Sequence, residues 1–255
     1  MENVAIIGDI HGAFGGMQSL LMREKIIAMD WTWLGEQMTL CFLGDYVNRG
    51  DEGLRVLDYL ISLQIQAEHA GGQMISLLGN HEVVLLAAHR FGERINTRTN
   101  TSFMHNWRAG ALGAEEDLER ISPEHIAWIT HCPAMVRLGD ALVVHADTDF
   151  YLRYGDTIEE VNARFEQILR SYDPDVWERF LADFAEHSGF MAHPESMERM
   201  LKTYGGERII HGHTNIPTLA GANADFTRPF VYNDGKAIDI DGALSDGFPG
   251  ILYRL

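Results

Sequence analysis

Cysteine is scarce in this chain: among 255 residues only Cys41 and Cys132 are present. Two cysteines so far apart do not make a disulfide framework, and both are expected as reduced thiols in or near a core. Cations are also in short supply. Twenty Lys and Arg face 37 Asp and Glu, a formal net charge of −17. That balance argues against a grip on a nucleic-acid backbone, which needs clustered positive charge, and it suits an attraction for metal cations. Long apolar runs are missing as well. Stretches such as Val83–Ala88 are far too short to span a bilayer, and no basic segment leads into an apolar one as a secretory signal would. The expected setting is the cytoplasm. No internal repeat or low-complexity tract stands out.

What remains is an ordinary globular composition, 46% hydrophobic and 22% charged, enough to build a large core. The length suits a single domain over 1–255, with a helical insertion expected at about 156–204. Short apolar runs alternate with amphipathic ones through the first half. Val4–Ile7, Leu40–Leu43 and Met74–Leu78 read as strands; Met17–Ile27, Leu54–Leu63 and Val83–Ala88 carry helical spacing. Such alternation predicts a layered α/β domain. Phe91–Gly113 is polar and without a period, so it is expected as an insertion or loop facing the active site. Ser122-Pro123 opens a helix, and Gly139-Asp140 turns a hairpin between Met135–Leu138 and Ala141–Val144. Ile158–Leu169, Val176–Phe184 and Met197–Leu201 read as helices, and Arg208–Ile210 as a strand. The tail, Phe230–Tyr232, Ala237–Ile240 and Ile251–Tyr253, reads as antiparallel strands.

The informative residues sit where apolar runs stop. Val4–Ile7 ends in GDIHG, Leu40–Leu43 in GDYVNRG, Met74–Leu78 in GNHE, Ala141–Val144 in HAD, and Arg208–Ile210 in HGHT. Strand carboxyl ends are where α/β sheets gather ligands, so five such endings suggest one shared site. Asp, Asn and His together suit divalent metals such as Mn²⁺, Fe²⁺ or Zn²⁺, and no thiolate competes in any of the five. Asp9, His11, Asp45, Asn80, His145 and His213 are too many ligands for one catalytic metal with an open position. Two metals bridged by Asp45 would use them all. Such pairs clamp an in-line displacement at phosphorus by a metal-bound hydroxide. His211 competes with His213 for the last position. His69, His89, His125, His131, His187 and His193 have no paired ligands nearby in sequence. His105, Arg108, Arg90, Arg94 and Arg98, in and near the polar segment, could reach a substrate. The stretch DIDGAL lacks the spacing and terminal Glu of a calcium loop.

In this order the motifs resemble those of the calcineurin-like metallophosphoesterases, and among them the phosphoprotein phosphatase group. The likeness runs from Gly8 to Thr214, and KAIDIDGAL looks like that family's closing strands. It implies a four-layer α/β/β/α sandwich. It also implies that Asp9, His11 and Asp45 hold one metal while Asp45, Asn80, His145 and His213 hold the other. His81 would protonate the leaving group, Arg49 would clamp phosphate, and the family's spacing favours His213 over His211. The cofactor expected is a pair of divalent ions, Mn²⁺ first, with Fe, Zn, Ni or Co as alternatives. Two positions depart from the pattern. Asn48 stands where the family usually has Asp, as it also lacks Asp in symmetrical dinucleoside polyphosphate hydrolases. A second phosphate-binding Arg is missing from its usual place; Arg179, in Trp177-Glu178-Arg179, is the candidate replacement. The substrates implied are phosphoproteins, on Ser/Thr or with broad specificity. The alternatives are dinucleoside polyphosphates, or a metal-binding regulatory module without catalysis.

Overall fold

The computed structural model of the chain describes residues 3–221 and 223–255. Its first half winds β1 (Val4–Ile7), α1 (Phe14–Arg23), β2 (Thr39–Phe42), α2 (Gly53–His69), β3 (Gln73–Ser76) and α3 (Asn80–Phe91). A small hairpin, β4 (Ile95–Asn96) and β5 (Thr101–Ser102), follows, then α4 (Phe103–His105), α5 (Glu115–Arg120) and α6 (Pro123–Thr130). Next come β6 (Met135–Leu138) and β7 (Ala141–Val144). Four helices then precede the next strand: α7 (Ile158–Arg170), α8 (Pro174–Phe184), α9 (Gly189–Ala192) and α10 (Pro194–Tyr204). The chain closes with β8 (Arg208–His211), α11 (Ile216–Ala220), β9 (Phe230–Tyr232), β10 (Ala237–Asp239) and β11 (Leu252–Arg254).

Besides the β4–β5 pair, two larger sheets result among the described residues, ordered β11-β1-β2-β3 and β6-β7-β8-β10-β9. Their centres are parallel: β1 with β2, β2 with β3, β7 with β8, and β8 with β10. Parallel strands buried on both faces read as unbroken apolar runs, and Val4–Ile7 and Ala141–Val144 do so. The period of two then sorts their side chains. Val4, Ile6, Cys41 and Leu43 meet Ala141, Val143, Ile210 and Ile238 in one apolar layer, which is the seam between the sheets. Ala5, Ile7, Leu40 and Phe42, and likewise Leu142, Val144 and Ile209, point the other way into the layers shared with helices. Helix, sheet, sheet, helix is the expected four-layer α/β/β/α sandwich.

Several local expectations need correction. The periodicity over Met17–Ile27 overruns its helix. α1 ends at Arg23, Lys25 takes a left-handed φ of 58°, and Ile27 pairs with Trp33 instead. Ile26 and Ile27 are buried all the same, so burial mimicked helical spacing. α2 runs on to His69, well past Leu63. Phe91–Gly113 is not a featureless loop. It carries the β4–β5 hairpin, α4 and a π-helical turn at Asn106–Gly110, and it buries Phe103 and Trp107. Elements of two to five residues are too short to show a period. Nor is the tail simply antiparallel. β9 and β10 pair that way, but β10 lies parallel to β8, and β11 crosses to the first sheet beside β1.

Candidate active site

The ends of β1, β2, β3, β7 and β8 turn sharply into one place. His11, Asp45, Asn48, Arg49 and His213 all take positive φ, between 47° and 71°. That region is unusual for residues with a side chain, though Asn, Asp and His tolerate it best, and its use at active sites is a known form of stored strain. The turns are laced together by the backbone. Asp45 O accepts from Ile10 N (3.0 Å) and His11 N (2.7 Å). Glu82, fully buried in the first turn of α3, accepts from the backbone N–H of Asp45 (2.9 Å), Tyr46 (2.7 Å), Val47 (3.2 Å) and Gly79 (3.1 Å). One carboxylate thus ties two strand-end loops to one helix. Burial pushes its acid up to about 7, against the pull of those four donors. Gly212 is required by proximity, because a Cβ there would collide with Asp9 Oδ1.

Two groups of ligand atoms result, His11–Asp45–His81 and Asp45–His145–His213, each within 4.8 Å. Asp45 belongs to both. Its Oδ2 lies 3.4 Å from His11 Nε2 and 3.9 Å from His81 Nε2, and its Oδ1 lies 3.5 Å from His145 Nε2. Asp9 Oδ2 is 3.8 Å from His11 Nε2 and accepts from His213 N at 3.1 Å. Asn80 Oδ1 stands 3.2 Å from His145 Nε2 and 3.0 Å from His213 Nδ1, and those two ring nitrogens are 3.2 Å apart.

Imidazole orientation tests whether these atoms fit cations. His11 Nδ1 donates to Val47 O (3.2 Å) and His145 Nδ1 to Leu43 O (3.0 Å). Each ring's proton is thereby committed to the backbone, and the bare Nε2 faces the cluster, as in oriented metal-binding histidines. His11 Nε2 is buried with no hydrogen-bond partner. A buried imidazole lone pair that faces a carboxylate oxygen with no donor of its own, as His11 Nε2 faces Asp45 Oδ2, fits a cation between them. The electrostatics agree. Burial, then Asp241 and Asp45, push the Asp9 carboxyl well above the usual range. Burial, then Glu82, does the same to Asp45. Burial, then the charges of His81 and Arg49, hold His11 well below its usual value. Cations would relieve both carboxylates.

His81 borders this cluster. Its Nδ1 receives the Asn48 amide N–H at 3.0 Å, while Asn48 Oδ1 is buried without a partner. Burial, then the positive charge of Arg49 and His213, lowers His81 to about 3. Arg49 is exposed, and its charge perturbs Asp9, His11, Asp45, His81 and Asp241. The structure brings Asp9, His11, Asp45, Asn48, Asn80, His81, His145 and His213 together with it. Arg179 is not brought in: it is exposed on α8, while its neighbour Glu178 turns inward. His211 is also diverted, since Tyr232 OH donates to its Nε2 at 2.8 Å. Beside Asn80 and His81 opens a cavity of about 270 Å³, walled by Val84, Leu181, Ala182 and Ala185 with the β4–β5 turn across its rim. Sequence reasoning missed Glu82, the last letter of GNHE. It also missed Asp241, buried and pushed up to about 6 by burial, whose charge acts on Asp9. Asp241 lies in KAIDIDGAL, so a carboxylate just past the end of a buried strand was the available signal.

An α/β/β/α sandwich whose strand ends converge on a two-part Asp/His/Asn cluster defines a metal-dependent phosphoesterase scaffold. The chain belongs to the calcineurin-like phosphoesterase family, which residues 2–217 match. Membership brings divalent metal ions with it, and the cluster just described fits them. Shewanella-like protein phosphatase 2 of Arabidopsis thaliana is 32% identical over 98% of this chain and 74% of its own length. Shewanella-like protein phosphatase 1 of Plasmodium berghei (strain Anka) is 22% identical over 84% of this chain. A symmetrical bis(5'-nucleosyl)-tetraphosphatase of Ralstonia nicotianae is 31% identical over 69% of it. The matches span 62% and 52% of those two relatives, less than two thirds of either. Among solved structures, the cold-active protein-tyrosine phosphatase of a psychrophile Shewanella species shares the fold. Its TM-score is 0.75 at 21% identity, covering 100% of this chain and 75% of that one.

Proposed function

We propose that this chain is a dinuclear-metal phosphomonoesterase acting on phosphoproteins. The observation that carries the reading is Asp45, whose two oxygens face separate sets of nitrogen ligands. Asp9, His11 and Asp45 would hold one divalent cation; Asp45, Asn80, His145 and His213 would hold the other. When bound, such ions neutralise phosphate charge and make water nucleophilic near neutral pH; Mn²⁺ suits this oxygen-and-imidazole set. Arg49 forks two phosphate oxygens from the solvent side. His81 protonates the leaving oxygen from Nε2. As imidazolium it also bears Nδ1–H, which the Asn48 amide, turned over, meets with its unpartnered Oδ1. Helices α7–α10 are proposed as an insertion, at about 156–204, within one domain over 1–255. Two free buried cysteines support a reducing, cytoplasmic setting.

Phosphoprotein substrates are supported by the two relatives named as protein phosphatases and by the cavity at His81. Its volume of about 270 Å³ falls below the roughly 300–1,000 Å³ that drug-sized ligands need. A space of that size suits a phosphorylated side chain. The nucleotide reading rests on the relative named as a tetraphosphatase. The test is turnover of an aryl phosphate with added Mn²⁺, lost on chelation and regained on readdition, then phosphopeptide against dinucleoside tetraphosphate side by side. Metal-independent turnover sinks the dinuclear-metal reading, and no turnover sinks the enzymatic one; faster tetraphosphate cleavage sinks the protein-phosphatase one.

A further inference from the structure

We infer that Arg98 reads a carboxylate carried on the leaving-group side of the substrate. The inference rests on the phosphomonoesterase reading and adds a specificity residue to the same site. Four arginines flank the polar segment, and three are accounted for. Arg90 donates to Leu169 O (2.6 Å) and Ser171 O (2.7 Å), and its guanidinium lies against Tyr172 and Trp177. Arg108 pairs with Glu93 (3.1 Å) and Glu115 (2.7 Å). Arg94 is exposed and does not line the cavity. Arg98 is exposed and lines the cavity beside Asn80 and His81, and it has no carboxylate partner among the described residues.

Its place is held firmly for a residue on a hairpin turn. Buried Asn96 accepts from Arg98 N (2.9 Å) and Thr99 N (3.2 Å) through Oδ1, an Asx turn that fixes the backbone at Arg98. Thr97 donates from its N–H (2.8 Å) and its hydroxyl to buried Glu178 of α8, clamping the turn to the opposite wall. Glu178 is thereby occupied by Thr97, and the guanidinium stays available. Geometry fixes what it meets. His81 lines the same cavity, and with His81 as the proton donor to the leaving oxygen the cavity takes the leaving group. Apolar walls receive that group's stem, and the cation at the rim receives a charge beyond it. In a chain of net charge −17, an unpaired guanidinium on a fastened turn selects an anion, and its planar fork matches a carboxylate.

Two sources supply such a carboxylate: an acidic residue beside the phosphoresidue of a peptide, or a small carboxylated aryl ester. The experiment compares phenyl phosphate with carboxymethylphenyl phosphate, and phosphopeptides flanked by Glu with those flanked by Lys, in wild type, Arg98→Ala, Arg98→Lys and Arg98→Glu. Wild type is expected to favour the carboxylated member of each pair by about tenfold in kcat/KM, mostly through KM, as a charge-assisted hydrogen bond allows. Arg98→Ala should lose that ratio, Arg98→Lys keep part of it, and Arg98→Glu reverse it toward the Lys-flanked peptide. A ratio unchanged in Arg98→Ala, or equal proportional losses on both members, overturns the inference. If the aryl pair shows the Arg98-dependent ratio while neither peptide is cleaved, Arg98 is upheld and the protein-phosphatase reading falls.

Discussion

Asn48 is the residue at which this site departs from the pattern its motifs suggest, and its consequences are chemical. A carboxylate beside an imidazole stabilises the imidazolium; an amide offers only a dipole. Here the amide N–H meets His81 Nδ1 at 3.0 Å and Oδ1 is left without a partner, so the neutral ring is favoured. Proton donation should therefore limit the hydrolysis of esters with poor leaving groups. In Asn48→Asp the carboxylate would meet Nδ1–H directly. We expect rates on alkyl phosphates to rise roughly tenfold relative to nitrophenyl phosphate, within the range general acid catalysis spans. A parallel change on both substrates would refute the orienting role. His81→Ala tests the same step from the other side. Alkyl phosphates should lose about 10²–10⁴-fold, a full general-acid contribution, and nitrophenyl phosphate far less. Equal losses on the two would remove His81 from the leaving-group side.

At the scale of elements, the site depends on loops held to α3 rather than on the strands alone. Glu82 satisfies four backbone N–H groups from the Gly44–Gly50 and Gly79 turns. Glu82→Gln keeps its shape but turns an NH₂ toward donors, leaving buried N–H groups unpaired at roughly 1–3 kcal/mol each. Chemical denaturation should show a loss on the order of 2–5 kcal/mol; a loss under about 1 kcal/mol would mean that the cradle contributes little. The same residue marks the limit of what was readable in the chain. Asp9, His11, Asp45, Asn80 and His145 were legible because each lies within four residues of the end of an apolar strand, and the strand-end rule gathers them without any knowledge of contacts. Glu82 was not, because its role lies in hydrogen bonds to residues some 35 positions away, from Asp45 to Val47. The β4–β5 hairpin and the closing of β11 onto β1 were hidden for related reasons. Two-residue strands carry no period, and pairing across some 250 residues leaves no local trace. Arg179 differs again: its neighbours spell a plausible motif, and helical geometry turns Glu178 inward and Arg179 to solvent.

Across the whole molecule, the two larger sheets meet in an apolar seam and present their strand ends to a cluster of buried acids. Asp9, Asp45 and Asp241 are each almost fully buried, and burial is the first cause raising all three. Without cations this end of the sandwich gathers like charges in a poorly solvated place, which costs stability. Cations that bind the folded chain and not the unfolded one add RT ln(1 + [L]/Kd), about 2.7 kcal/mol for a site at a hundredfold excess over Kd. For a chain of this size about 1 kcal/mol shifts Tm by roughly 2–4 °C. Adding Mn²⁺ to chelator-treated protein should therefore raise Tm by about 5–10 °C per filled site at that excess. Asp45 faces both ligand groups, so Asp45→Asn should blunt both contributions. Asn48→Ala, outside the proposed ligand set, should leave the Mn²⁺-dependent rise largely in place. Calorimetry of the three proteins with and without Mn²⁺ decides the matter. If wild type and Asp45→Asn gain equally, Asp45 does not join two metals, and the dinuclear arrangement is wrong. If neither gains, the buried acids are protonated in the resting protein and the cluster is not a high-affinity cation site. Only a rise in wild type that Asp45→Asn lacks and Asn48→Ala keeps ties the burial of these carboxylates to a shared bridge.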